Sequence, residues 1–401
     1  MQASLFPFQK KAANRLLAGA HIIIANTGVG KTAIMFNWLA RTKARKVLVV
    51  STPAKIKSHD METEADKFNG PEWRQSLDEY HTVSWYTLKK WADNRTTKSL
   101  KGFAIAYDEL AHASAGISSL QGKAFLMLTK HCQCWAGFTA TPGDTWLKFY
   151  PYFQASGLIK NKTAFMREFC VMNPYTPFPK VEKYKNTKQL REWWAQISYS
   201  PDASEVLKQL PPETHKRVKF PPPKGYKQVL KTCHTLEGEL LESDMAVLHY
   251  VRQLCATKDK LDYLSEILES LSSPLVIFYN YTCERDQILQ LAKKVKRKVW
   301  RIDGQEHEIP TAETIGTDDI VLCHYLSGSE ALNLQFVSYC LFYSYNWSYS
   351  VSVQARGRIR RVGQAHPQMY WYFECENTVE QEVQQAIARK SDFAENEWKR
   401  S

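Results

Sequence analysis

The 401-residue chain is predicted to be an α/β protein with two successive domains, each built on a parallel sheet. Three observations carry this. The chain is longer than a single hydrophobic core usually supports. Short apolar, β-branched runs alternate with helical stretches in two separate series. Between the series, the composition shifts to aromatic, proline and lysine residues.

The first series holds His21-Ile-Ile-Ile-Ala25, Lys46-Val-Leu-Val-Val-Ser51, Thr82-Val-Ser-Trp85 and Phe103-Ala-Ile-Ala-Tyr107. The second holds Pro274-Leu-Val-Ile-Phe-Tyr279, Asp319-Ile-Val-Leu-Cys323 and Tyr339-Cys-Leu-Phe-Tyr343. Runs of this kind, flanked by helices, suit strands buried on both faces. Residues 1–150 and 241–401 are therefore expected to be the two domains. Residues 151–240, with Pro174, Pro177, Pro179, Trp193, Trp194, Pro211-Pro212 and Pro221-Pro-Pro223, are expected to be a helical and irregular connector without a sheet of its own. Thr378-Val-Glu-Gln381 fits a capping box opening a terminal helix.

Composition narrows the function classes. No stretch approaches the roughly 18 apolar residues of a membrane helix, and the N-terminus lacks a basic region followed by an apolar one, so a cytoplasmic protein is expected. Nine scattered cysteines, with Cys132 and Cys134 the only close pair, point to reduced thiols and not to a zinc or redox motif. A net charge of +12 suits a polyanionic partner. The clusters Lys293-Lys-Val-Lys-Arg-Lys298 and Lys183 to Lys188 fit either such a partner or plain solvation.

Chemistry is most legible where the first apolar run enters Ala25-Asn-Thr-Gly-Val-Gly-Lys-Thr32 and then a helical pattern. Gly28 and Gly30, with Thr27 between strand and turn, let backbone N–H groups face phosphate oxygens; Lys31 can reach the β and γ phosphates, and the Thr32 hydroxyl can ligate Mg²⁺. An ordinary glycine turn before a helix is the bland alternative. Asp108-Glu109 follows the fourth run, where a strand delivers carboxylates to the carboxyl edge of a sheet. Hydrolysis of a phosphoanhydride needs such a pair, Asp108 toward Mg²⁺ and Glu109 toward the attacking water. Arg358 and Arg361 lie three apart, hence on one face of a helix, and can jointly meet developing negative charge.

These motifs together resemble the Snf-type (Swi/Snf-like) ATPases of helicase superfamily 2. Ala25-x-x-Gly-x-Gly-Lys-Thr32 is similar to their phosphate loop, Leu5-Phe-Pro-Phe-Gln9 to their glutamine motif, and Thr139-Ala-Thr-Pro142 to their third motif. Gln354-Ala-Arg-Gly-Arg-Ile-Arg-Arg-Val-Gly-Gln364 resembles their sixth motif at every fixed position. Val49 to Pro53 with Glu62, Ser84-Trp-Tyr86, Leu210-Pro-Pro212, Arg252 to Cys255, Val276 to Tyr279, Gly328 to Gln335, Asn346-Trp347, and Thr378 to Glu380 with Lys390 resemble further landmarks in order, so nearly the whole chain is covered. Three features depart: His112 stands one residue later than the histidine of the family's acidic box, Ala331 replaces a frequent glycine, and residues 195 to 206 lack the family's usual Arg-Arg pair. With no accessory domain in view, the chain resembles the compact Snf-like proteins of bacteria and their phages.

The resemblance implies two tandem RecA-like domains with ATP between them, Gln9 on the base, and Lys31, Thr32, Asp108 and Glu109 opposed by Arg358 and Arg361. It implies coupling roles for His112, Thr139, Thr141 and Gln354. Nucleic-acid contacts are implied for Thr52, Pro53, Ser84, Tyr86, Asn280 and Gly328, through hydroxyls and backbone groups on phosphates. Trp193 and Trp194 are singled out as exposed stacking candidates. The expected activity is that of a DNA-dependent, Mg²⁺-requiring ATPase, a monomer translocating on duplex or branched DNA. An RNA helicase and a non-hydrolysing nucleic-acid clamp are the alternatives.

Overall fold

A computed structural model describes residues 4–114, 119–173, 180–328, 332–361 and 363–393. Pro174, Pro177, Pro179 and Ala331 lie outside them. The chain forms two compact units, one of Met1–Leu207 with Lys390–Ser401, the other of Lys208–Arg389.

In the first unit, strands β1 (Ile22–Ile24), β2 (Lys46–Ser51), β3 (Glu79–Ser84), β4 (Phe103–Asp108) and β5 (Cys134–Thr139) form a parallel sheet in the order β3-β2-β4-β5-β1. All six residues of β4 are buried, as a strand covered on both faces requires. On one face Ile23, Val47, Val49, Ala104, Ala106 and Phe138 pack with Ala12, Ala13 and Leu16 of helix α1 (Pro7–Leu17) and with Ile34, Met35 and Leu39 of helix α2 (Lys31–Arg41). Small Ala104, Ala106 and Ala136 let the helices approach the sheet closely.

The stretch expected to be a connector is divided between the units. Residues 151 to 207 belong to the first, where Cys170–Asn173 (β6) and Lys180–Tyr184 (β7) form a two-stranded antiparallel sheet, and Ser198–Tyr199 (β8) joins the main sheet beside β1. The expectation of no sheet here fails because Pro174, Pro177 and Pro179 fall in one short stretch and leave the residues on either side able to pair. Trp194, expected as an exposed contact, is fully buried on the helix Thr187–Ile197, edge-on to Phe149 at 4.6 Å and tilted against Tyr152 at 6.1 Å. The helix presents Leu190, Trp194 and Ile197 on one stripe, so the second tryptophan of the pair is core by its spacing. Trp193 is half-buried against Phe153 and Phe169.

The second unit repeats the architecture: β9 (Glu213–Phe220), β10 (Leu275–Tyr279), β11 (Val299–Ile302), β12 (Ile320–His324), β13 (Tyr339–Phe342) and β14 (Gln368–Cys375) form a parallel sheet in the order β11-β12-β10-β13-β14-β9. Along β10, Leu275, Ile277 and Tyr279 enter one core and Val276 and Phe278 the other, the period of two expected for a doubly covered strand. At the edge, β9 is mostly polar, Glu-Thr-His-Lys-Arg-Val-Lys-Phe, and its charges protect an otherwise open ladder. Fully buried Lys260 donates to both carboxylate oxygens of Glu380 at 2.8 and 2.9 Å and to the Tyr343 carbonyl at 3.2 Å. Glu380 opens the last helix, Val379–Phe393, where Thr378 Oγ1 accepts the Glu380 N–H and Gln381 Oε1 accepts the Asn377 N–H. Two six-stranded parallel sheets under helices make this a tandem RecA-like α/β protein. No helix among the described residues is long and apolar enough to cross a membrane.

Candidate nucleotide site

Register in the first sheet gathers the strand ends. Ile24 pairs with Thr139, Asp108 with Phe138, and Ser51 with Ser84, while the Ala25 N–H donates to the Thr139 carbonyl at 3.0 Å. The phosphate loop, the acidic pair and the Thr139 turn therefore share one carboxyl edge, the place where open parallel sheets bind ligands.

From β1 the chain turns through Gly28 (φ +80°) and Gly30 (φ +81°) into α2, with Gly30 as the N-cap residue. Both angles lie where side chains are disfavoured. A side chain at Gly30 would also have to displace the Gln9 amide: an added Cβ would stand 2.4 Å from Gln9 Nε2. Gln9 accepts the Phe6 N–H at 3.0 Å and donates to the Val29 carbonyl at 3.1 Å, so α1 braces the loop through a buried amide. Lys31 folds back on the loop, its Nζ donating to the Ala25 carbonyl at 3.1 Å and the Asn26 carbonyl at 3.2 Å. Thr27 and Thr32 are half-buried on either side.

At the end of β4, Asp108 is buried and its Oδ2 accepts from Ser51 Oγ and from Lys55 Nζ, each at 2.7 Å. Burial alone would raise this carboxyl. The Lys55 ammonium, the hydrogen bonds from Lys55 and Ser51, and the charge of Lys31 outweigh that and hold it below its ordinary value. The Trp85 indole N–H donates to the Asp108 carbonyl at 2.8 Å, fixing the backbone where the side chain emerges. Glu109 follows in the left-handed region (φ +50°), a conformation that turns the chain sharply out of the strand and is uncommon without glycine.

His112 lies on the 3₁₀ turn Leu110–Ser114, its N–H donating to the Glu109 carbonyl at 3.1 Å and its ring stacked on Trp85 at 5.8 Å. Burial pushes its imidazole below the ordinary value, against the opposing pull of Glu109 and Asp108. Thr139 Oγ1 accepts the Thr141 N–H at 3.1 Å, and both residues are buried. The buried Tyr152 hydroxyl lies 2.9 Å from the Pro142 carbonyl and 3.1 Å from Ser114 Oγ, tying the Thr139 turn to the turn after the acidic pair. Sequence reasoning assigned no role to Lys55 or Tyr152; nothing in their local motifs signals one.

Among the expected nucleic-acid contacts in this unit, Tyr86 is 66 % exposed, whereas Thr52 and Ser84 are buried. Ser84 Oγ pairs with Thr87 Oγ1 at 2.8 Å. Pro53 is half-buried and opens the short helix α3 (Pro53–Lys57).

In the second unit, Asn280 is a hub. Its Nδ2 donates to Ser344 Oγ and the Tyr345 carbonyl, its Oδ1 accepts from Asn346 Nδ2, and its N–H reaches buried Glu284 at 2.8 Å. Gly328 ends the short helix Tyr325–Gly328. Gln354 is half-buried on the helix Tyr349–Arg356. Arg358 and Arg361 do not share a helical face as their spacing suggested, because that helix stops at Arg356 with Gly357 as its cap. The turn that follows still brings them together: Nη1 of both donates to the Leu332 carbonyl, at 3.4 and 2.9 Å, and Arg361 also reaches Asn333 Oδ1. Gln364 pins the turn through the Val337 and Ile359 carbonyls, and Arg360 pairs with Glu213 at 3.1 Å.

The donor set of the first unit fits a triphosphate with Mg²⁺. A glycine loop of positive φ closes on a helix N-terminus, a lysine ammonium rests on carbonyls it can exchange for phosphate oxygens, and an ionised carboxylate stands at the end of β4, across β5 from the loop. Residues 259–363, within the second unit, match the family described as "Helicase conserved C-terminal domain". This supports a nucleic-acid-dependent helicase or ATPase in general. Over these residues the chain is similar to the C-terminal domain of helicases.

Proposed function

We propose that the protein is a Snf-type, DNA-dependent ATPase that couples ATP hydrolysis to movement on duplex or branched DNA, working as a cytoplasmic monomer. The observation that supports it most is the shared carboxyl edge, where the Gly28–Lys31 loop after β1 and the Asp108-Glu109 pair after β4 stand on either side of β5 in one sheet.

In this reading, Gln9 contacts the adenine, and Thr27 with the glycine loop wraps the phosphates. Lys31 leaves the Ala25 and Asn26 carbonyls for the β and γ phosphate oxygens. Thr32 and Asp108 would hold Mg²⁺, which supplies charge neutralisation at the phosphate oxygens when bound. Glu109 orients the attacking water and takes its proton. Arg358 and Arg361 carry the cationic charge that the resemblance directs to the transition state. His112, Thr139, Thr141 and Gln354 transmit the state of the nucleotide. Thr52, Pro53, Ser84, Tyr86, Asn280 and Gly328 line the strand path, with backbone groups serving where side chains are buried.

ATP turnover measured with duplex, forked and single-stranded DNA and with RNA tests the proposal. Stimulation is expected to be strongest with duplex or forked DNA. Lys31→Ala and Glu109→Gln are expected to abolish turnover, and Arg361→Ala to lower it by about 10³-fold or more. Equal turnover with and without nucleic acid would remove the coupling. Stronger stimulation by RNA would favour an RNA helicase, and nucleotide binding without turnover a clamp.

A further inference from the structure

Lys55 sits on α3, in the turn directly after Ser51 at the end of β2. Its Nζ lies 2.7 Å from Asp108 Oδ2, the same oxygen that accepts the Ser51 hydroxyl. The Asp108 side chain is 4 % exposed and that of Lys55 22 %, so the lysine is the more accessible member of the pair. The carboxylate read above as facing Mg²⁺ is thus already neutralised by a cation of the chain.

Two cations drawn to one carboxylate repel each other strongly where water is scarce. A divalent ion approaching Asp108 must displace the ammonium or accept a weakened ligand. Lys55 has the means to leave: its side chain is partly exposed, and its stem of four methylenes can swing without moving α3. Asp108 has no such freedom, because its backbone carbonyl is held by Trp85 and its strand is buried throughout.

We propose that Lys55 is a positioning residue, an internal counter-cation that occupies Asp108 before metal and nucleotide arrive, and that its displacement sets the affinity for the divalent ion. This rests on the reading of Asp108 as the residue toward Mg²⁺. A lysine that merely stabilises the fold would leave metal affinity unchanged or, when lost, weakened through disorder. A displaced counter-cation requires the opposite sign, tighter metal binding once it is gone.

The test is a Mn²⁺ titration by electron paramagnetic resonance at pH 8 with a non-hydrolysable ATP analogue, comparing wild type with Lys55→Met, Lys55→Gln and Lys55→Arg. Lys55→Met and Lys55→Gln are expected to bind Mn²⁺ about tenfold more tightly than wild type, and Lys55→Arg to stay near it. Without metal, Lys55→Met should melt at a lower temperature than wild type and gain more on adding Mn²⁺, since a ligand that binds only the folded state stabilises in proportion to its affinity. Lys55→Gln, which keeps a hydrogen-bond donor beside Asp108, carries the test if Lys55→Met does not fold. Unchanged or weaker Mn²⁺ binding in the neutral variants, with the analogue bound normally, overturns the role of Lys55 alone. Failure of wild type to bind the analogue in a separate fluorescence titration overturns the nucleotide reading and this inference with it.

Discussion

Gly30 shows how much of the site is decided by single residues. Its φ of +81° and the 2.4 Å approach of Gln9 Nε2 to an added Cβ are independent obstacles, one in the backbone and one in the neighbouring helix. Gly30→Ala is therefore expected to cost about 1–2 kcal/mol for the left-handed backbone and to displace Gln9 besides. Binding of a fluorescent ATP analogue should fall at least about tenfold, because the N–H groups of the loop turn with that residue. Adding Gln9→Ala should relieve the crowding and leave the backbone cost. Wild-type affinity in Gly30→Ala would show that the loop does not cradle phosphate. Gly28, Gly30, Lys31, Asp108 and Glu109 were legible in the sequence because each belongs to a short run whose spacing carries the chemistry. Lys55, Trp85 and Tyr152 were not legible as parts of the site. They reach Asp108 and the Thr139 turn across the parallel register of strands many residues apart, and no local pattern records that.

Among elements, strands with continuous apolar runs could be read, and those that hide or mix their polarity could not. Phe103–Asp108 and Leu275–Tyr279 are buried on both faces and declare themselves. Glu213–Phe220 is an edge strand with exposed lysine and arginine, and Ser198–Tyr199 spans two residues, so neither leaves a periodic signal. The helix Thr187–Ile197 gives the sharpest contrast, since Trp194 was expected outside and lies among Phe149, Tyr152 and Phe153. Trp194→Ala is expected to destabilise the first unit by about 3–5 kcal/mol, the usual cost of emptying a large aromatic site in a core. Denaturant unfolding followed by tryptophan fluorescence measures this. A change under about 1 kcal/mol, with weakened nucleic-acid binding, would restore the exposed-contact reading. Because Tyr152 also touches the Pro142 carbonyl and Ser114, the cavity should loosen the link between the Thr139 turn and the acidic pair.

At the scale of the whole molecule, charge is the property that sequence states most directly. The excess of 53 Lys and Arg over 41 Asp and Glu leaves +12, although many of these cations are already engaged in surface pairs such as Arg45 with Asp78 and Arg74 with Asp66. Such exposed pairs contribute little to stability and compete weakly with phosphate, so they do not cancel attraction to a polyanion. The amide and hydroxyl groups expected to meet the strand add orientation without charge, and the salt response must come from lysines and arginines. If about four to six of them neutralise phosphates, raising monovalent salt from about 50 to 200 mM should weaken duplex binding by about 10²- to 10³-fold, along a straight line of log affinity against log salt. Fluorescence anisotropy with a labelled duplex, without nucleotide, measures the slope directly. An affinity that hardly changes over that range would mean that the basic excess is solvated surface. Any nucleic-acid binding would then rest on neutral groups and owe nothing to the net charge.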